Sequence, residues 1–70
     1  MAAIVSLVCT DGIFSVISAP VQGLDMKWYK EYRVEERNSI GEFVAYRGLY
    51  STQQKAIEHF ERLCPTYSAK

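Results

Sequence analysis

The chain has 70 residues, of which 49% are hydrophobic and 23% charged, and its formal net charge is zero. A chain of this length cannot bury two cores, and it is too apolar for a disordered segment. Generic nucleic-acid binding is disfavoured, because proteins that depend on phosphate contacts usually carry an excess of basic residues. We therefore expect one small folded domain over residues 1–70.

The cysteines and the N-terminal segment indicate a cytoplasmic protein. Cys9 and Cys64 have neither C-x-x-C nor zinc-site spacing, so we expect reduced structural thiols rather than a redox or metal motif. The apolar N-terminus has no basic flank and is interrupted by Asp11 and Gly12, which is unlike a signal peptide or a membrane span.

Residues 3–19 read as a β-hairpin. Asp11 and Gly12 separate two β-branched alternating runs, which predicts a type I′ turn with Thr10 opposite Ile13. Residues 19–23 contain Pro and Gly and predict a connection. Both faces of this hairpin are largely apolar: one carries Ile4, Val8, Ile13 and Ile17, and the other carries Val5, Leu7, Cys9, Phe14 and Val16. One helix can cover only one face of the sheet, so the first face is a predicted homodimer interface; the alternative is that curvature of the sheet buries both faces.

Residues 25–50 read as a second hairpin that turns at residues 38–41. Placing Arg37 opposite Glu42 gives one ion pair and puts Arg33 opposite Tyr46, whereas either one-residue slip opposes like charges. This register predicts a core face of Met26, Trp28, Tyr32, Val34, Phe43, Ala45 and Leu49. It predicts an outer face of Tyr29, Arg33, Val44, Tyr46 and Tyr50.

One helix is predicted over residues 52–64, followed by a tail at residues 65–70. Ser51 and Gln54 have capping-box spacing, and Pro65 cannot continue a helix. The apolar positions Ala56, Ile57, Phe60, Leu63 and Cys64 form one stripe. The predicted fold class is α+β: a four-stranded antiparallel sheet of two hairpins with one C-terminal helix packed on one face.

The residues that could carry chemistry do not form a catalytic set. His59 is the single histidine and lies beside the apolar stripe, where a structural role is expected. Cys9, His59 and Cys64 lack a fourth metal ligand, and no glycine-rich phosphate loop is present in the sequence. We expect a protein that is not an enzyme and that needs no cofactor or metal.

Besides the apolar face of the first hairpin, the outer face of the second hairpin is a candidate for binding. The predicted partner-binding residues are aromatic or basic and lie on or beside the outer face: Tyr29, Arg33, Tyr46, Tyr50 and Lys27. As a binding surface they favour a protein partner over a nucleic acid stacked on the tyrosines, and the alternative to binding is an ordinary solvated sheet face. In architecture only, a β-meander followed by a capped helix resembles small phage-encoded inhibitors such as some anti-CRISPR proteins. It also resembles the arm-binding domains of phage-type integrases. We expect a small protein-binding module that inhibits or modulates a larger assembly.

Overall fold

The protein folds as a four-stranded antiparallel sheet with one helix packed against it, which confirms the predicted α+β class. The computed structural model describes residues 4–65. Its elements are β1 (Ser6–Asp11), β2 (Phe14–Gln22), β3 (Trp28–Arg37), β4 (Phe43–Tyr50) and α1 (Gln53–Leu63). The strand order β1-β2-β3-β4 makes the sheet a meander. Residue 3 of the predicted first hairpin and residues 66–70 of the predicted tail lie outside the described residues.

The first turn lies one residue further along the chain than predicted. Asp11 pairs with Phe14, so the turn consists of Gly12 and Ile13. Gly12 has φ +60°, and Ile13 has no positive φ. A type I′ turn requires a positive φ at both central residues, whereas a type II′ turn requires it only at the first. The predicted type I′ turn is therefore wrong, and the turn is of type II′. The shift places Val16 on the face that the helix covers.

A β-bulge at Val8 divides β1. Leu7 pairs with Ile17 and Cys9 pairs with Val16, which leaves Val8 as the extra residue. Because neighbouring residues of β2 point to opposite faces, Leu7 and Cys9 also point to opposite faces.

β2 continues through the segment that the sequence predicts to be a connection. Pro20 pairs with Lys30 inside the ladder to β3. Its missing N–H is tolerated because β1 begins opposite Ser18, so within residues 4–65 β2 has a paired strand on one side only at Pro20. The true connection is a turn at residues 23–27, in which the Met26 N–H donates to the Gly23 carbonyl at 3.0 Å.

β4 contains two bulges that change the predicted register. The turn at residues 38–41 forms as expected, and the Gly41 N–H donates to the Asn38 carbonyl at 3.0 Å. The ladder then skips Val44 and Arg47, and Arg37 lies opposite Phe43 instead of Glu42. The remaining pairs place Glu35 opposite Tyr46, Val34 opposite Gly48 and Arg33 opposite Leu49. The bulged Arg47 bonds Glu36, with Nε 2.6 Å from Oε1.

The helix begins one residue later than the predicted capping box requires. Thr52 is the N-cap, with extended backbone, and its hydroxyl accepts from the Lys55 N–H at 3.4 Å. The predicted cap at Ser51 is therefore wrong. At the other end, the Cys64 N–H donates to the Phe60 carbonyl at 2.9 Å, one residue before Pro65.

The core lies between the helix and one face of the sheet. Its buried members are Val16, Val34, Ala56, Phe60 and Cys64. Tyr32 packs against this cluster as predicted. Four predicted core residues are instead exposed: Met26, Trp28, Phe43 and Leu49. Met26 lies in the turn before β3 and Trp28 is the first residue of β3. The bulges of β4 turn Phe43 and Leu49 to the opposite face.

Among residues 4–65, no helix is long and apolar enough to cross a membrane.

Candidate binding face

The sheet has one face under α1 and one face that no described element covers, which we call the open face. Successive residues of a strand alternate between faces, and the register therefore assigns each side chain. The large or charged side chains of the open face are Leu7, Ile13, Ile17, Tyr29, Glu31, Arg33, Glu35, Arg37, Phe43, Tyr46 and Leu49.

A stripe of alternating charge runs along β3 on the open face. Its members, in order, are Glu31, Arg33, Glu35 and Arg37, which we call the charged stripe. Arg33 Nε lies 2.8 Å from Glu31 Oε1, and Arg37 Nε lies 2.8 Å from Glu35 Oε1. The Glu35 side chain is only 8% exposed, although it lies on the open face. The stripe is therefore internally neutralised, with two acids and two bases in contact.

Tyr46 connects the charged stripe to the aromatic residues of β4. The Arg33 guanidinium carbon lies 5.2 Å from the centre of the Tyr46 ring, and Arg33 Nη1 donates to the Tyr46 hydroxyl at 3.4 Å. The pKa of Arg33 is raised by its hydrogen bonds to Glu31 and then to Tyr46. The rings of Phe43 and Tyr46 meet edge to face with centroids 4.9 Å apart. The predicted Arg33–Tyr46 cation–π contact thus forms, but diagonally rather than between directly opposed residues.

Apolar side chains lie on both sides of the charged stripe and are largely accessible. Leu7 is 63% exposed, Leu49 57%, Phe43 48% and Tyr46 44%. Leu7, Ile17 and Leu49 share one row with Arg33 across all four strands. Near the end of this face, Val21, Tyr29 and Leu49 border a shallow depression. The open face thus combines exposed apolar area with fixed, paired charges.

The structure brings together three of the five predicted partner-binding residues. Tyr29, Arg33 and Tyr46 share the open face, and Lys27 is exposed in the turn before β3. Tyr50 is on the covered face, so its predicted place on the outer face is wrong. It pairs with Tyr32, and its hydroxyl lies 2.8 Å from His59 Nδ1. The bulge at Arg47 reverses the face of every later residue of β4.

The predicted homodimer residues do not form one surface. Ile13 and Ile17 lie on the open face, whereas Val8 packs against the core beneath the helix. Ile4 is 70% exposed and borders a second depression with Ser6, Ser18, Pro20 and Lys30. The bulge at Val8 and the shifted turn separate the four residues.

Leu7, Phe43 and Leu49 lie on the open face but are not among the residues predicted for a binding surface. The sequence predicts Leu7 on the face of the first hairpin that does not carry Ile17, and it predicts Phe43 and Leu49 in the core. The one signal in the sequence was Gly48, which has little reason to occupy a strand unless a bulge or a close approach requires it.

Gly48 allows the helix to approach β4 closely. A Cβ at this position would lie 2.6 Å from His59 Nδ1 and 2.7 Å from Tyr50 Cε2. His59 thus holds a structural hydrogen bond to Tyr50 across the helix–sheet interface. Within residues 4–65, no group of three or more His, Cys, Asp or Glu side chains is arranged to hold a metal ion.

Comparisons with known proteins give no relative: no protein-family model matches the chain, and neither a curated protein nor a solved structure is significantly similar to it.

Proposed function

We propose that the chain is a small, non-enzymatic protein-binding module whose open face contacts a larger protein and inhibits or modulates it. The composition of that face is the main support for this proposal. Exposed Leu7, Phe43, Tyr46 and Leu49 flank a stripe of paired charges. Aromatic residues and arginine are enriched in protein interfaces, and a large exposed apolar area on a small protein marks an interaction site.

The ion pairs favour a protein over a nucleic acid as the partner. A phosphate backbone needs cations that are available for it. Arg33 and Arg37 each bind a glutamate of their own strand, and Arg47 of β4 binds Glu36 of β3. Glu31 and Glu35 would also lie directly under a bound polyanion.

The state of the cysteines supports action in the cytoplasm. Cys9 and Cys64 are both thiols, and thiols are the usual state of cysteine in a reducing compartment. The inhibitory role that we propose acts by covering a surface of the partner rather than by chemistry.

Site-specific photocrosslinking tests the proposal in the cells that encode the protein. Benzoylphenylalanine replaces Tyr46 on the open face or Lys55 on the outer side of the helix; both positions are exposed. We expect a protein adduct from position 46 that is lost when Leu49→Arg is added, and none from position 55. Equal adducts from both positions, or an adduct removed by nuclease, would contradict the proposal.

A further inference from the structure

The charged stripe is complementary to itself in one orientation. Suppose that two copies stack with their open faces together. A two-fold axis that lies parallel to the sheets and crosses β3 at a right angle at Val34 then places residue 34 + n of one copy over residue 34 − n of the other. Glu31 then faces Arg37 of the second copy, and these are the more exposed members of the stripe, at 30% and 46%. Arg33 lies over Glu35 of the second copy, whose side chain is only 8% exposed. Every charge of the stripe meets the opposite charge, and the two-fold repeats each pair.

The alternative face-to-face orientation does not have this property. A two-fold axis along β3 places each residue over its own equivalent, so that Arg33 meets Arg33 and Glu31 meets Glu31. Like charges in a low-dielectric interface are strongly unfavourable. The order of charges along β3 therefore selects one of the two arrangements.

We propose that the open face binds a second copy of the chain through this pairing, so that the protein forms a homodimer. The inference rests on the proposed function, since it names one partner for the same surface. The apolar residues agree with the arrangement. Leu49 is level with Arg33, and Tyr46 is level with Glu35, so the axis places Leu49 against Tyr46 of the second copy.

The size of the face predicts a weak and reversible dimer. Four strands about 4.8 Å apart and a central strand rising about 3.3 Å per residue give a face of roughly 600 Å². A standard interface buries about 800 Å² per partner. The glutamate–arginine pairs within each copy already hold the charges in place, so less side-chain freedom is lost when a second copy adds its own pairs. Association in the micromolar range leaves the face accessible to another protein at low concentration.

Charge exchange tests the proposal by sedimentation velocity between about 5 μM and 1 mM. With Glu31→Arg alone, the new arginine at position 31 of each copy would meet Arg37 of the other copy. With Arg37→Glu alone, Glu31 of each copy would meet the new glutamate at position 37 of the other. We expect either variant to dimerise at least tenfold more weakly than the wild type. An equimolar mixture restores association, because every stripe charge of one variant then meets its opposite in the other. Glu58→Arg and Arg62→Glu, on the exposed side of α1, are matched controls and leave the dimer unchanged.

Circular dichroism verifies the fold of each variant. If a charge variant does not fold, Leu49→Asp makes the test at an exposed side chain of the same face, and we expect it to be monomeric. A wild-type chain that is monomeric at 1 mM, or a mixture that associates no better than its components, would overturn the dimer. The proposed function would survive that result if the Tyr46 probe still captures a different protein.

Discussion

Replacing Gly48 by alanine should destabilise the fold, although the same change in an ordinary strand is favourable. Glycine in a strand interior usually costs about 0.5–1 kcal/mol relative to alanine. Here the new Cβ would lie 2.6 Å from His59 Nδ1 and 2.7 Å from Tyr50 Cε2. His59 and Tyr50 are joined by a hydrogen bond of 2.8 Å, so neither ring can move without breaking it.

The expected magnitude follows from these contacts. A lost intramolecular hydrogen bond contributes about 1 kcal/mol, and displaced rings held off their rotamers cost about 1 kcal/mol more. After subtracting the ordinary gain from alanine, Gly48→Ala should lower the free energy of unfolding by about 1–1.5 kcal/mol. At roughly 0.05–0.15 kcal/mol per residue, a domain of this size has only about 4–10 kcal/mol in total.

A double-mutant cycle with His59→Ala provides the assay. Urea unfolding followed by circular dichroism gives the free energy of unfolding of all four proteins. With the imidazole removed, the Tyr50 ring is no longer held and can turn away, so Gly48→Ala should become favourable by about 0.5 kcal/mol. The coupling between the two sites is then about 2 kcal/mol. An equal cost of Gly48→Ala in both backgrounds would refute the close approach.

Three further predictions concern the cap, the core and the buried thiol. Thr52→Ala should cost about 1 kcal/mol of stability in urea unfolding, whereas Ser51→Ala should cost little; the reverse order would restore the cap that the sequence predicts. Phe60→Ala should remove about 3–5 kcal/mol, a large share of the total stability, since this ring is fully buried; a cooperative transition near that of the wild type would contradict the described core. Burial raises the pKa of the Cys64 thiol above its ordinary value of 9.0. The unfolded chain therefore releases this proton first, and the stability that Cys64 contributes is complete below pH 9 and is lost as the pH rises through the higher folded-state pKa. Cys64→Ala should flatten that part of the stability profile, and an unchanged slope would rule the thiol out as its cause.

Local sequence signals predicted the elements because each signal acts within a few residues. The turn at residues 38–41, the helical stripe and the stop at Pro65 depend only on neighbours in the chain. The predicted α+β meander follows from them.

The faces of β4 were not predictable in the same way. A strand has a period of two, so one extra residue reverses every side chain beyond it. The bulge at Val44 puts Phe43 on the open face, and the bulge at Arg47 does the same for Leu49 while turning Tyr50 to the helix. These bulges fit the contact between Gly48 and His59, a relation between strand and helix that no local pattern contains.

The predicted register failed because it maximised one ion pair across the hairpin. Arg37 was paired with Glu42, but in the structure it bonds Glu35 on its own strand at 2.8 Å. Exposed ion pairs contribute little, typically 0–1 kcal/mol, and so cannot outweigh the packing of Val34 and Gly48 under the helix. The predicted Arg33–Tyr46 contact forms although the register differs, because both side chains are long enough to meet on a diagonal.

A photocrosslinking scan along β3 shows most directly whether the chain contacts protein through its open face. Benzoylphenylalanine is placed in turn at Tyr29 and Arg37, on the open face, and at Lys30 and Glu36, which point to the other side. We predict protein adducts, either with a second copy or with another protein, from the first two positions and not from the last two. Adducts from Lys30 and Glu36 instead, or from all four positions alike, would contradict contact through the open face.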